Sequence, residues 1–172
     1  MTTKKLTMLA MLTAVYVVLS ITTPVKIISF KFTFEAFPIL VAGLLFGPVE
    51  GMIVGLLGSG IYQVFLSSYG ITPTTPLWIL PHVLNGLIAG LLGRKLKEMN
   101  MVNVVIIAIA CAFTVTVFNT LALYVDSKMF KYYTEKLVFG ALGMKFVIGI
   151  ILSVIYALVL PKLIGQLRKI VK

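Results

Sequence analysis

Apolar residues fill this chain in long blocks, and polar residues are confined to the short breaks between them. Residues 139–160, "FGALGMKFVIGIILSVIYALVL", show the pattern, with one lysine, Lys145, set inside an otherwise greasy run. Blocks of this kind match the roughly 17–25 residues that cross a hydrocarbon core about 30 Å thick. They are continuous and do not alternate at every second residue, which excludes a transmembrane β-barrel. They predict six spanning helices, at about 5–23, 36–47, 49–68, 75–93, 101–125 and 137–164. The second is short, and is expected to tilt or to be extended by part of the 24–35 segment. The predicted fold is an all-α membrane protein: six transmembrane helices in one compact bundle, forming a single domain over 1–172. Lys4 and Lys5 precede the first block as they would in a signal peptide. No small-x-small cleavage pattern leads into a polar mature domain, so that block reads as a helix.

The breaks are marked by turn residues. "TTPVKIISFKFTFE", residues 22–35, is extended, β-branched and aromatic, too apolar to wave in water, and is expected to fold back as a lid or small hairpin. "FGP" ends the second helix, "SSYGITPTTP" and "DSKMFKYYTEK" form outer turns, and "GRKLKEMN" an inner one. Small residues recur four apart: Ala10 and Ala14, Gly43 and Gly47, Gly51 and Gly55, Gly86 and Gly90. Each pair lies on one helix face and lets another backbone come close, most simply within the same bundle.

Composition supports this reading and charge orients it. The chain is 60% hydrophobic and 12% charged, against about 25% charged in a soluble domain. The net charge of +10 is explained by position. With both termini cytoplasmic, Lys4, Lys5, Arg94, Lys95, Lys97, Lys162, Arg168, Lys169 and Lys172 lie inside. Lys26, Lys31, Lys128, Lys131 and Lys136 lie outside. That excess follows the positive-inside rule, so the basicity needs no nucleic-acid partner. The single cysteine, Cys111, sits in an apolar block and reads as a small packing residue.

Candidate chemistry is sparse. One histidine, no cysteine pair, no Walker loop and no GxSxG leave no metal site, ATP site or hydrolase set, so the chain is not read as an enzyme and needs no cofactor. No Asp or Glu falls at mid-membrane, which argues against a proton- or sodium-driven carrier. The polar and aromatic residues that enter the spans gather toward their outer ends: Trp78, His82 and Asn85 in the fourth, Tyr62 and Gln63 in the third, Asn119 in the fifth, Lys145 in the sixth. Each has a simpler role: Trp78 in the interfacial belt, His82 beside a Pro81 kink, Asn85, Asn119 and Gln63 as interhelical glue, Lys145 snorkelling upward. Their common depth points instead to a pocket for a small organic ligand, open to the outside, with Lys145 as a polar anchor at its floor and Trp78 and His82 as its wall.

Three stretches together resemble a known family. "AMLTA", Ala10 to Ala14, is similar to the AxxxA motif of the substrate-capture subunits (S components) of energy-coupling factor (ECF) vitamin transporters. "FKFTFEAFPILVAGLLFGPVEGMIVGLLG", residues 30–58, looks like their second and third helices, and "LNGLIAGLLGRKL", residues 84–96, like the end of their fourth. The pattern is closest to the folate, riboflavin and pantothenate branch. Lys31 and Glu35 stand where folate-type members carry arginine and glycine in this stretch, and Lys145 matches the lysine of their last-helix motif. The resemblance implies high-affinity capture of folate or a related water-soluble vitamin at the prokaryotic plasma membrane, with riboflavin and pantothenate as alternatives and a stand-alone facilitator as the rival outside the family. It implies that Lys31 and Glu35 join the site and that Ala10 and Ala14 dock on a transmembrane coupling subunit. Two ATPase subunits would complete the machine.

Overall fold

The computed structural model describes residues 2–23, 25–27, 30–32, 34–67 and 70–171, with 25–27, 30–32 and 171 described by backbone alone. Helix α1 covers Thr3–Thr22 and is followed by an antiparallel hairpin of β1 (Val25–Ile27) and β2 (Phe30–Phe32). Then come α2 (Ala36–Phe46), α3 (Pro48–Ile61) running into a π-helical turn at Tyr62–Leu66, and α4 (Thr75–Leu96). The chain ends with α5 (Met101–Met129), a short α6 (Glu135–Phe139) and α7 (Leu142–Val171). Five segments are long and apolar enough to cross a membrane: α1, α3 with its π turn, α4, α5, and α6–α7 together. With α2 they form the expected all-α membrane bundle. The hairpin takes the place of the lid or hairpin expected at 24–35.

Helix α2 shows why a short element can sit in a membrane protein. Its 11 residues rise about 16 Å, half a hydrocarbon core. Pro38, Ile39, Leu40, Val41, Ala42, Gly43 and Leu44 are all buried, against α4, α3, α1 and α7. Its ends therefore meet protein rather than lipid tails, where an unsatisfied backbone group would cost several kcal/mol. The outer helices behave oppositely: Met11, Val18, Phe113, Leu121, Val147 and Leu158 point outward, as a lipid-facing surface requires.

The corner between α2 and α3 needs Gly47, whose φ is +120°, a conformation that side chains rarely adopt. Pro48 follows as the first residue of α3, where its missing N–H costs nothing. Helices α3 and α4 then cross almost backbone to backbone. A Cβ at Gly51 would stand 2.5 Å from the Gly86 carbonyl oxygen, and one at Gly86 would collide with the Gly51 backbone. The glycine pairs thus serve packing inside the chain, as their spacing suggests. Ala10 and Ala14 do not: α1 buries Leu9, Thr13, Tyr16 and Ser20, and leaves both alanines exposed on another face.

The sixth span differs from expectation. It is broken at Gly140–Ala141, with α6 before the break and α7 beginning at Leu142. Lys145 is therefore in the first turn of α7 and about 4–5 Å along that helix, not about 13 Å into a continuous span. It is partly buried.

Candidate functional site

Four elements converge at the hairpin end of the bundle, on the bend that leads from β2 into α2. Glu35 lies on this bend, and its carboxylate is shared. Oε2 accepts a hydrogen bond from Ser20 Oγ of α1 at 2.9 Å, and Oε1 is 3.8 Å from His82 Nε2 of α4. The His82 ring meets Tyr16 of α1 edge to face at 5.6 Å. Tyr16 and Ser20 reach the same place because they are one turn apart on the buried face of α1. Phe34 and Phe37 flank Glu35 in sequence and pack on Tyr156 of α7, with ring centroids 6.5 and 5.8 Å away. One carboxylate and three aromatic rings thus fasten the hairpin's exit to α1, α4 and α7.

One turn deeper on α4 lies Asn85. It is 0% exposed, and neither its Oδ1 nor its Nδ2 has a hydrogen-bond partner among the described residues. The Tyr156 hydroxyl is also buried without a partner. Leaving such groups unmet costs about 1–3 kcal/mol each. Cys111 Sγ contacts the Asn85 carbonyl at 3.6 Å, which backs α4 with α5 and accounts for the buried cysteine as packing. An amide on α4 and a phenol on α7 are thus left buried and unmet among the described residues.

Of the residues singled out in the sequence, the structure brings Glu35 and His82 together, and Asn85 follows one turn further along α4. Trp78 lies one turn outward from His82 on the same face of α4, partly buried. Tyr62 and Gln63 sit, partly buried, in the π-helical turn that ends α3. Asn119 is partly buried on α5. Lys145, in the first turn of α7, has no side-chain hydrogen bond or ion pair among the described residues. The backbone of Lys31 pairs with Lys26 across the hairpin, and its side chain is outside the described residues. Tyr16, Ser20, Phe34, Phe37 and Tyr156 were missed. The spacing Leu9, Thr13, Tyr16, Ser20 would have exposed the α1 pair, and Tyr156 lies eleven residues, three turns, beyond Lys145 on its own helix face. Among the described residues, no three His, Cys, Asp or Glu side chains group to hold a metal ion.

Asp126, near the end of α5, ties that end to the start of α4. Its two oxygens accept from the Thr74 hydroxyl at the start of α4 and from the Tyr132 hydroxyl beyond α5. Lys128 stacks over Tyr133 at 3.9 Å beside it.

Residues 4–164 match the family model described as "ECF transporter, substrate-specific component". The chain belongs to this family. It is a substrate-binding subunit of a transporter, works with an ECF module, and is not an enzyme. Three solved structures share the S-component fold. An S component for biotin from an ECF-type ABC transporter is 20% identical, with a TM-score of 0.71 over 98% of this chain and 95% of that one. FolT bound with folic acid is 23% identical, with a TM-score of 0.70 over 97% and 98%. An S component of a bacterial ECF transporter is 22% identical, with a TM-score of 0.66 over 96% and 98%. No curated protein sequence matches.

Proposed function

We propose that this S component captures folate or a related water-soluble vitamin from outside the prokaryotic plasma membrane. It passes the ligand inward through a coupling subunit and two ATPase subunits of an ECF module. The observation that carries the choice of ligand is the unmet amide of Asn85. An amide with an open donor and an open acceptor complements a ring edge offering the reverse pair, as cyclic amides and cyclic ureas do. Folic acid and biotin, the ligands named for two of the solved relatives, both carry such an edge. The Tyr156 hydroxyl adds a third polar contact, and Phe34 and Phe37 supply aromatic surface.

Lys145, unpaired at the rim, takes the ligand's carboxylate, and Trp78 and His82 form the wall between rim and floor. Tyr62, Gln63, Asn119 and Lys31 lie around the mouth. Glu35 latches the hairpin over the site through Ser20 and His82, so the latch must break before ligand leaves. Ala10 and Ala14 form the docking face for the coupling subunit, since both are exposed on α1 and small enough for a close helix approach. The deciding experiment is native mass spectrometry of the purified chain for carried-over ligand, followed by calorimetry with folic acid and with biotin. A folded chain that binds neither, and no other compound with a cyclic amide or urea edge, would sink the proposal. Copurification with an ATPase pair separates it from a stand-alone facilitator.

A further inference from the structure

At the other end of the bundle the structure holds a cleft of about 280 Å³, remote from the hairpin. Its walls are the last turns of α2 and α4 and the end of α7, and three cations line it: Arg94, Lys97 and Arg168. Among the described residues, no carboxylate lines it. All three cations are exposed at the cleft. The Arg94 guanidinium lies over Gly47, where a Cβ would stand 2.5 Å from Nη2, so the bare glycine makes room for it. Arg168 Nη2 reaches the Leu44 carbonyl oxygen at 3.5 Å, at the end of α2. Lys97 caps α4 with a φ of +48°, a conformation uncommon for a side-chain-bearing residue.

Basic residues at helix C-termini complement the helix dipole, and that accounts for Arg94 and Lys95 on α4 and Arg168 and Lys169 on α7 one helix at a time. It does not account for their convergence. Cations from two helices and a loop share one concave site, and Arg94 and Lys97 make no side-chain hydrogen bond or ion pair among the described residues. Glu50 lies within the electrostatic reach of Arg94, but it is already bonded to the Lys5 ammonium. The cleft is near the lower end of the roughly 300–1,000 Å³ that small ligands fill, so it suits a headgroup and not a whole cofactor. The positive-inside rule puts this end at the inner leaflet, whose anionic lipids are drawn to basic pockets between helices.

The geometry points to a phosphate-binding site in this cleft, filled by the headgroup of an anionic phospholipid of the inner leaflet. Arg94 and Arg168 grip the phosphate from two helices, and Lys97 closes the third side. The occupant would tie α2, α4 and α7 together on the cytoplasmic face, independently of the vitamin site.

The test titrates phosphatidylglycerol and phosphatidylcholine into the delipidated full chain in detergent, with retained lipid counted by native mass spectrometry. Phosphatidylglycerol should be retained preferentially. R94Q/R168Q should weaken it roughly 30-fold, from about 1 kcal/mol for each cation. K95Q/K169Q removes the same charge from residues outside the cleft and should leave retention nearly unchanged. If R94Q/R168Q does not fold, K97Q serves in its place, with a loss of roughly 5-fold expected. Equal retention of the two lipids, or equal losses in the two double variants, would overturn the site. Binding of inorganic phosphate with the same arginine dependence, without preference for phosphatidylglycerol, would overturn its assignment to lipid.

Discussion

Asn85 makes an unusual demand on the empty protein, and replacing it separates folding from binding. Its amide is fully buried, with two polar atoms unmet among the described residues. Asn85→Leu keeps the approximate volume and removes both. If each unmet group costs about 1–3 kcal/mol and the leucine recovers only part of that, the empty variant gains about 1–3 kcal/mol. The same change removes two hydrogen bonds to the ligand, each contributing about 0.5–1.5 kcal/mol, so affinity falls roughly 5- to 150-fold. The two effects have opposite signs, which a general packing defect cannot imitate. Thermal unfolding of the detergent-solubilised chain, with and without folic acid, reads both at once. The empty variant should melt higher than the native chain, and its ligand-induced shift should shrink, because that shift follows the ratio of ligand concentration to Kd. If the empty variant melts lower, bound water already satisfies the amide. If affinity is unchanged, Asn85 is not at the floor of the site. Either result refutes the reasoning.

Three further outcomes follow from the geometry. Ala10→Trp with Ala14→Trp should abolish uptake and copurification with the coupling subunit while leaving vitamin binding to the isolated chain intact; equal transport by both chains would remove the docking face from α1. Lys145→Met should weaken binding by roughly 10-fold, the lower end for a charge-assisted bond at a partly exposed rim, and unchanged calorimetry in a folded variant would mean that the lysine only snorkels. Gly86→Ala should cost at least about 1–3 kcal/mol of stability, because the new methyl meets the Gly51 backbone, which has no rotamer to change; a melting temperature equal to that of the native chain would contradict the crossing.

The bundle was legible because membrane spans follow from composition and length, which are visible residue by residue. Even the short second helix was visible, as was the turn-back of the 24–35 segment. The break before α7 was not. Gly140 and Ala141 are ordinary residues in an apolar run, and what they do there depends on the neighbours of α6, so Lys145 looked further along its helix than it is. The site was half legible for a related reason. Asn85, His82 and Glu35 stand out as polar residues among apolar ones. Tyr156 and Tyr16 do not, because a tyrosine is at home in a membrane helix and only its partners reveal whether its hydroxyl is met. The inner cleft could not be read at all: Arg94, Lys97 and Arg168 obey the charge rule singly, and their meeting depends on how α2, α4 and α7 close on one another.

The glycine seam between α3 and α4 also bears on how the chain assembles. These helices are neighbours in sequence, and their extensive interface closes only a short loop, so the entropy lost in forming it is small. Contacts between near neighbours form early, whereas those that join distant parts of a chain wait for the rest. The α3–α4 pair should therefore form early, and the contact of α2 with α7, more than a hundred residues away, should close late. Pulled apart by its ends in a bilayer, the protein should keep α3 and α4 as one mechanical unit until the last step.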